Sequence, residues 1–214
     1  QEGSNSGLKY TKSNNDGTWT SPISLDVGSG AYSGTAGKFS SLVIDSNDYP
    51  RIAYEGPYTN SPFTQGDLKL ATWNGNSWNF ATLTTSFTNK IDYVIDSNDY
   101  DHIVYACTDA WCALDVRYYS GESGTHTELP NADDGATIGT SLLSIQLDSF
   151  EEPNILGIAC CYGTAQSWMT HTSLNEQGDF VTKEVGDPGY VGGTDSTLNF
   201  DVNDTVFIKS TFDV

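Results

Sequence analysis

The sequence predicts an all-β fold made of four tandem units, each with four antiparallel strands. Three observations predict it: one hairpin motif recurs four times, a second hairpin motif alternates with it, and no segment shows helical periodicity. The first motif reads SLVIDSNDYPRIAY at 41–54 and DYVIDSNDYDHIVY at 92–105, with weaker copies at 144–157 and 197–210. Four-stranded units in tandem are typical of a β-propeller, here with four blades.

Each copy of the first motif is centred on an aspartate. Apolar residues stand one and three positions before it and seven positions after it, in the alternation expected of strands. The run between the two strands, SNDY at 46–49 in the first copy, has the composition of a tight turn. The four aspartates, at intervals of 51, 52 and 53 residues, are Asp45, Asp96, Asp148 and Asp201. Each copy is therefore predicted to be a β-hairpin.

The second motif supplies the other two strands of each unit. Its first strand is predicted at 8–10, 68–70, 116–118 and 169–171. Ten or eleven residues further on, a large ring side chain follows in each copy: Trp19, Trp78, His126 and Phe180. Because these positions are equivalent, we interpret them as packing positions between blades, with sugar stacking as the alternative for Trp19, Trp78 and Phe180.

The order of the motifs predicts one domain, residues 1–214, with a blade divided between the two ends of the chain. Three complete blades are expected at about 39–85, 90–129 and 140–185. The divided blade combines the second motif at 8–25 with the first motif at 196–212. Two closures are open: the two hairpins pair within one chain, or they pair between neighbouring chains as exchanged hairpins.

The run GDLKLATWNGNSW at 66–78, between the two strongest hairpin copies, resembles the repeat of secreted bacterial and archaeal β-propeller proteins. Those repeats combine a leucine-lysine-tyrosine strand, a glycine turn, a tryptophan strand and a hairpin with an aspartate-serine-asparagine turn. The resemblance is good over 39–119, fair over 8–25 and weak from 140 onward. It implies an architecture and no activity, because this class of repeat serves many purposes.

Charge and composition exclude two classes of partner. The net charge is −19, from 28 acidic and 9 basic residues, whereas nucleic acids and anionic membranes bind basic patches. No apolar stretch reaches transmembrane length, so we expect no membrane insertion. The chain begins at Gln1 without an initiator methionine or an apolar leader, which favours a mature extracellular or cell-surface protein.

The cysteines predict disulfide bonds, because their number is even and the chain is expected to be exported. Cys107 and Cys112 lie in one predicted loop and are our first choice for a pair. Cys160 and Cys161 would then form a vicinal bridge or remain free thiols. Pairing between the two clusters and a zinc site are the alternatives.

No cofactor is predicted, and calcium is the alternative for the acidic turns. Its candidate ligands are Asp45, Asp48, Asp96 and Asp99, which have suitable oxygen chemistry but not the full spacing of a calcium loop. Asp and Asn in a tight turn bond their own backbone instead, and we prefer that interpretation. Asn203 begins a glycosylation sequon in the last predicted turn, and its use is left open.

Four aromatic residues in or beside predicted loops are candidates for binding glycans by stacking: Tyr58, Trp73, Trp111 and Trp168. The sequence predicts no catalytic residues, because the histidines occupy repeat positions and carboxylates are too numerous to single out a pair. Our leading hypothesis is a non-catalytic structural protein that assembles with itself, as a filament joined by exchanged hairpins. The alternative is a lectin-like propeller that binds glycans.

Overall fold

The structure, a computed structural model, describes residues 7–28, 36–58, 66–107, 115–131, 137–160, 167–185, 193–200 and 204–212. These residues form 15 β-strands and no helix, and all of their strand pairs are antiparallel. No helix in this part of the chain could therefore span a membrane. The all-β prediction is confirmed for the described residues.

The strands follow the predicted order of hairpin, three four-stranded units and hairpin. The N-terminal hairpin contains β1 (Leu8–Tyr10) and β2 (Ile23–Asp26). Unit 1 contains β3 (Ser40–Ile44), β4 (Pro50–Tyr58), β5 (Gly66–Trp73) and the first part of β6 (Trp78–Ile95). Unit 2 contains the rest of β6, β7 (Asp101–Cys107), β8 (Val116–Ser120) and β9 (Thr125–Glu128). Unit 3 contains β10 (Thr137–Leu147), β11 (Pro153–Cys160), β12 (Ser167–Leu174) and β13 (Phe180–Val185), and the C-terminal hairpin contains β14 (Gly193–Phe200) and β15 (Val206–Phe212).

Strand β6 is longer than the repeat predicts, because it runs without a break from unit 1 into unit 2. It pairs with β5 as far as Thr88 and with β7 from Thr88 onward. Lys90, with a φ of 53°, stands at an irregularity of register beside this crossing. The two units therefore share one seven-stranded sheet, since backbone hydrogen bonds continue through the segment that links them.

The two terminal hairpins belong to separate two-stranded sheets. Within the described ranges, β1 pairs with β2 alone and β15 pairs with β14 alone. Asp201 and Asn203, from the last predicted turn, lie outside the described residues. Closure of a four-bladed ring thus remains a prediction, while the arrangement of successive units is propeller-like.

Apolar side chains pack between neighbouring units. One cluster joins Leu8 of the N-terminal hairpin to Ile52 and Tyr54 of unit 1, and Trp78 packs against it. Further clusters contain residues of units 1 and 2 and of units 2 and 3. Trp19 departs from the predicted packing, since it is 67% exposed.

The turn between the first two strands has the same geometry in units 1, 2 and 3. Its aspartate accepts N–H bonds of 2.8–3.0 Å from the residues two and four positions later. The acidic residue three positions after the aspartate adopts the left-handed conformation, which is uncommon for residues other than glycine. This residue is Asp48 (φ 62°), Asp99 (63°), Glu151 (64°) or, before β15, Asp204 (57°).

Consecutive turns are joined by hydrogen bonds that we call the turn clasp. Ser46 donates its N–H to Oδ1 of Asp99 at 2.9 Å and its hydroxyl to Oδ2 at 2.5 Å. Two clasps follow along the chain: Ser97 to Glu151 through its N–H alone at 2.7 Å, and Ser149 to Asp204 through both groups at 2.9 and 2.5 Å. The clasps hold the turns of successive units side by side.

Candidate functional site

A cavity of about 410 Å³ opens where the N-terminal hairpin lies against unit 1, and we call it the hairpin cavity. The hairpin contributes Tyr10, Lys12, Thr20, Ser21 and Ile23 to its wall. Unit 1 contributes Asp48, Tyr49 and Pro50 from its first turn, and Trp73 and Trp78 from its second hairpin. The cavity therefore combines four aromatic rings with hydroxyl groups, one ammonium group and one carboxylate.

The two tryptophans are positioned by a tight turn. Trp73 and Trp78 are paired residues at the ends of β5 and β6, with ring centroids 5.8 Å apart. The Asn74 side chain accepts N–H bonds from the two turn residues at 76 and 77, at 3.0 and 2.8 Å. Gly75 has a φ of 91°, and a Cβ there would lie 2.6 Å from the hydroxyl of Tyr49. Glycine thus permits both the turn and the close approach of Tyr49.

The N-terminal hairpin is held against unit 1 by packing and by charge. The Tyr10 ring meets Trp78 edge to face, with centroids 5.1 Å apart. Asp26 accepts hydrogen bonds from the hydroxyl of Tyr54 at 2.9 Å and from the ammonium of Lys69 at 2.7 Å. Burial alone would raise the pKa of Asp26, but these bonds and one from the Gly28 N–H outweigh it and lower the pKa.

The wall of the cavity suits a ligand with both apolar and hydroxyl faces. Aromatic rings pack against the C–H faces of a sugar, and a few fixed polar groups orient it. The Lys12 ammonium and the hydroxyls of Thr20 and Ser21 are donors, and the Asp48 carboxylate is an acceptor. Among the described lining residues Asp48 is the single carboxylate, so the wall does not offer the carboxylate pair of a typical glycosidase.

The structure places one of the four predicted stacking residues in this site, namely Trp73. Tyr58 lies on β4 and Trp168 on β12, but their side chains are outside what the structure describes, as is all of Trp111. Sequence reasoning assigned Trp78 to packing and overlooked Tyr10 and Tyr49. The place of Tyr49 in the turn that follows the repeated Asp45 is the sequence feature that could have indicated its role.

The calcium candidates take part in the turns. Asp45 accepts two backbone N–H bonds and contacts Arg51, Asp96 accepts two backbone N–H bonds, and Asp99 accepts from Ser46. Asp48 lines the hairpin cavity. Among the described residues, no group of three or more His, Cys, Asp or Glu side chains could hold a metal ion.

Of the four cysteines, Cys107 is the one whose side chain is described. It is buried at the end of β7 and is disulfide-bonded. Cys112 and Cys161 lie outside the described residues, and Cys160 ends β11 with its side chain outside them. The pairing with Cys112 therefore stays a prediction.

Comparison with known proteins gives a likeness of fold. No protein-family model and no curated protein matches this chain. Seven chains of solved structures match, among them an endo-arabinase from Bacteroides thetaiotaomicron at 10% identity and a TM-score of 0.53, covering 96% of this chain and 81% of that one. A fucose lectin from Kordia zhangzhouensis, solved with methyl-fucoside, matches at 12% identity and a TM-score of 0.46, over 70% of this chain and 99% of that one. The chain has a β-propeller-like, all-β fold, which by itself assigns no activity.

Proposed function

We propose that this protein binds carbohydrate in the hairpin cavity and does not cleave it. The observation that carries the proposal is the convergence of Tyr10, Tyr49, Trp73 and Trp78 on one cavity of about 410 Å³ that also contains hydroxyl and charged groups. Its size lies within the range of small-molecule sites and suits one or two sugar rings. The absence of a second carboxylate among the described lining residues supports binding over hydrolysis.

An extracellular or cell-surface location belongs to the same proposal. The disulfide at Cys107 supports it, because disulfides persist in oxidising compartments. Glycans would then be the partners of the cavity.

Replacing Trp73 by alanine is expected to reduce sugar binding about 5-fold to 150-fold, because stacking of an aromatic ring contributes about 1–3 kcal/mol at comparable sites. The measurement is a glycan array with purified protein, followed by calorimetric titration of the strongest ligand. Trp19→Ala is the matched control, since Trp19 is exposed and lies outside the cavity wall. Equal losses in both variants, or a wild-type protein that binds no glycan on the array, would contradict the proposed function.

A second candidate function is self-assembly through the terminal hairpins. The observation that favours it is that β1 and β15 each pair on one side only within the described chain, while the N-terminal hairpin packs on unit 1 of its own chain. Pairing β15 of one molecule with β1 of the next would complete a four-stranded unit head to tail. Repetition of that contact would produce a filament or a larger ring.

Deleting residues 1–25 is expected to abolish any such assembly, because it removes the strand with which β15 would pair. Light scattering and negative-stain microscopy of the full chain and the deleted chain provide the measurement, and circular dichroism reports whether the deleted chain keeps its sheets. Polymers that persist after the deletion would exclude hairpin exchange. A full chain with a native mass near 23.2 kDa would exclude assembly altogether.

A further inference from the structure

In the described part of the chain, the acidic residue of the first turn accepts no hydrogen bond from a serine, unlike its counterparts in the later turns. In each later turn, the left-handed acidic residue accepts from the serine of the preceding unit. Asp48 is the corresponding residue of the first turn, with the same backbone conformation, and it is exposed. No donor in the described part of the chain is hydrogen-bonded to its carboxylate.

The sequence shows that ring closure would not replace the missing hydroxyl. The turn that would precede unit 1 in a closed ring is the last one, at 201–205, and its serine position holds Val202. A valine offers its backbone N–H but no hydroxyl. At least one oxygen of Asp48 therefore lacks the hydroxyl donor that Asp99 and Asp204 receive, whether the hairpins pair within one chain or between chains.

Asp48 belongs to the wall of the hairpin cavity. Asp48 and Tyr49 enter the wall from the same turn, and Trp73 and Trp78 form the adjoining side. At Asp99 the two carboxylate oxygens accept one bond each, from an N–H and from a hydroxyl. Two adjacent hydroxyl groups of a sugar present donors in the same side-by-side manner.

We infer that the Asp48 carboxylate is the hydroxyl-binding group of the hairpin cavity and that the ligand is a neutral sugar with two adjacent free hydroxyls. The inference rests on the proposed function, since it names the ligand class of that site. The sugar lies with its C–H face on the aromatic rings and its two hydroxyls toward Asp48. Acidic sugars are disfavoured in this orientation, because a carboxylate in place of one of the two hydroxyls would meet the like charge of Asp48, and the Lys12 ammonium is the single positive charge among the described wall residues.

The test is a calorimetric titration of the whole protein with methyl glycosides of glucose, galactose, mannose, xylose and glucuronic acid. Monodeoxy analogues of the best ligand follow. Asp48→Asn is expected to weaken binding about tenfold to a hundredfold, the usual effect of losing charge-assisted hydrogen bonds. Removal of either of two adjacent sugar hydroxyls is expected to weaken wild-type binding to a similar degree, and to have little further effect on the variant.

Asp99→Asn is the matched control, because it alters the same turn position where the carboxylate is taken up by Ser46. It is expected to lower the melting temperature and leave sugar binding unchanged. Asparagine also tolerates the left-handed conformation, so both variants are expected to fold.

Unchanged binding by Asp48→Asn, or a preference for the glucuronoside, would overturn the inference. If Trp73→Ala still abolished binding in that case, the proposed function would stand without the inference about Asp48. A wild-type protein that bound none of the array glycans or methyl glycosides would overturn both.

Discussion

Replacing Arg51 by alanine is expected to lower the free energy of unfolding by about 2–4 kcal/mol, since its charged partners would lose their cation in a largely buried site. The guanidinium lies 3.2 Å from Oδ2 of Asp45 and 3.2 Å from Oδ1 of Asp101. It also donates to the backbone carbonyl of Asp99 at 2.8 Å. Arg51 thus connects the first turns of units 1 and 2.

In each of the three units, the side chain six positions after the turn aspartate lies close to the carboxylate of that aspartate. Arg51 reaches Asp45, His102 lies 3.9 Å from the Asp96 carboxylate, and Asn154 donates to Asp148 at 3.5 Å. Arg51 also donates hydrogen bonds to the next unit, to Asp99 and Asp101, because its planar guanidinium carries several donors. We therefore expect the loss at Arg51 to include contact between units.

Chemical denaturation with urea provides the measurement for Arg51→Ala. Arg51→Lys is expected to recover part of the stability, because it keeps the charge but not the planar arrangement of donors. Lys9→Ala is the matched control for loss of an exposed positive charge, and it is expected to change stability by less than about 0.5 kcal/mol. A loss at Arg51 no larger than that at Lys9 would show that the contacts are not stabilising.

Replacing Glu55 by glutamine is expected to abolish part of the pH dependence of stability. Glu55 lies on β4 with no exposed surface. One carboxylate oxygen accepts the Gly66 N–H at 3.1 Å, and the other has no partner among the described residues. Burial raises the pKa of Glu55 to about 7, and the Gly66 N–H and the positive charge of Lys38 offset only part of that rise.

Stability is expected to fall as the pH rises, because the folded chain favours the protonated form of Glu55. In the wild-type protein, the contribution of Glu55 is fully present below the unfolded-state pKa, near 4.5, and is lost as the pH rises to about 7. The loss is on the order of 3 kcal/mol, because each unit of pKa corresponds to about 1.4 kcal/mol. Glutamine stays neutral, so Glu55→Gln should remove this decline and be the more stable protein at pH 8.

Urea unfolding of both proteins at several values between pH 4.5 and pH 8 gives the comparison. Burial lowers the pKa of His102, His126 and His171, so their contribution falls as the pH decreases below about 6.5. These histidines are present in both proteins and cancel in the difference. Glu128→Gln, at an exposed position of β9, is the control. A difference between wild type and Glu55→Gln that stays constant with pH would contradict the prediction.

The local features of the fold were predictable because they depend on neighbours in sequence. The Asp45 turn was recognised from its residue types, and β3 and β4 pair around it with Ile44 opposite Pro50. The order of hairpins and units followed from the spacing of the repeats. The alternation of apolar residues could not show, however, that β6 continues through its linking segment, since that depends on backbone partners on both of its edges.

Of the residues in the cavity wall, the sequence predicted Trp73 as a stacking residue and named Asp48 only as a calcium candidate. Trp78 occupies a repeat position that looks the same as that of Trp19, yet Trp78 lines the cavity and Trp19 is exposed. The difference arises because Trp78 contacts Tyr10 of the neighbouring hairpin, and a repeat pattern carries no information about contacts between units. Tyr10 became part of the site because Leu8 and its neighbours pack on Ile52 and Tyr54.

The sequence by itself determined the strands, their turns and the order of the units, because alternation and turn chemistry act over a few residues. Only the tertiary structure decided which side chains meet across units, such as Ser46 with Asp99 or Tyr10 with Trp78. Those contacts join residues more than 50 positions apart, and they depend on how packed side chains set the position of one unit against the next. For the same reason, the sequence alone does not show that Asp48 lacks a serine donor. That difference follows from comparison with the hydrogen bonds of the other turns.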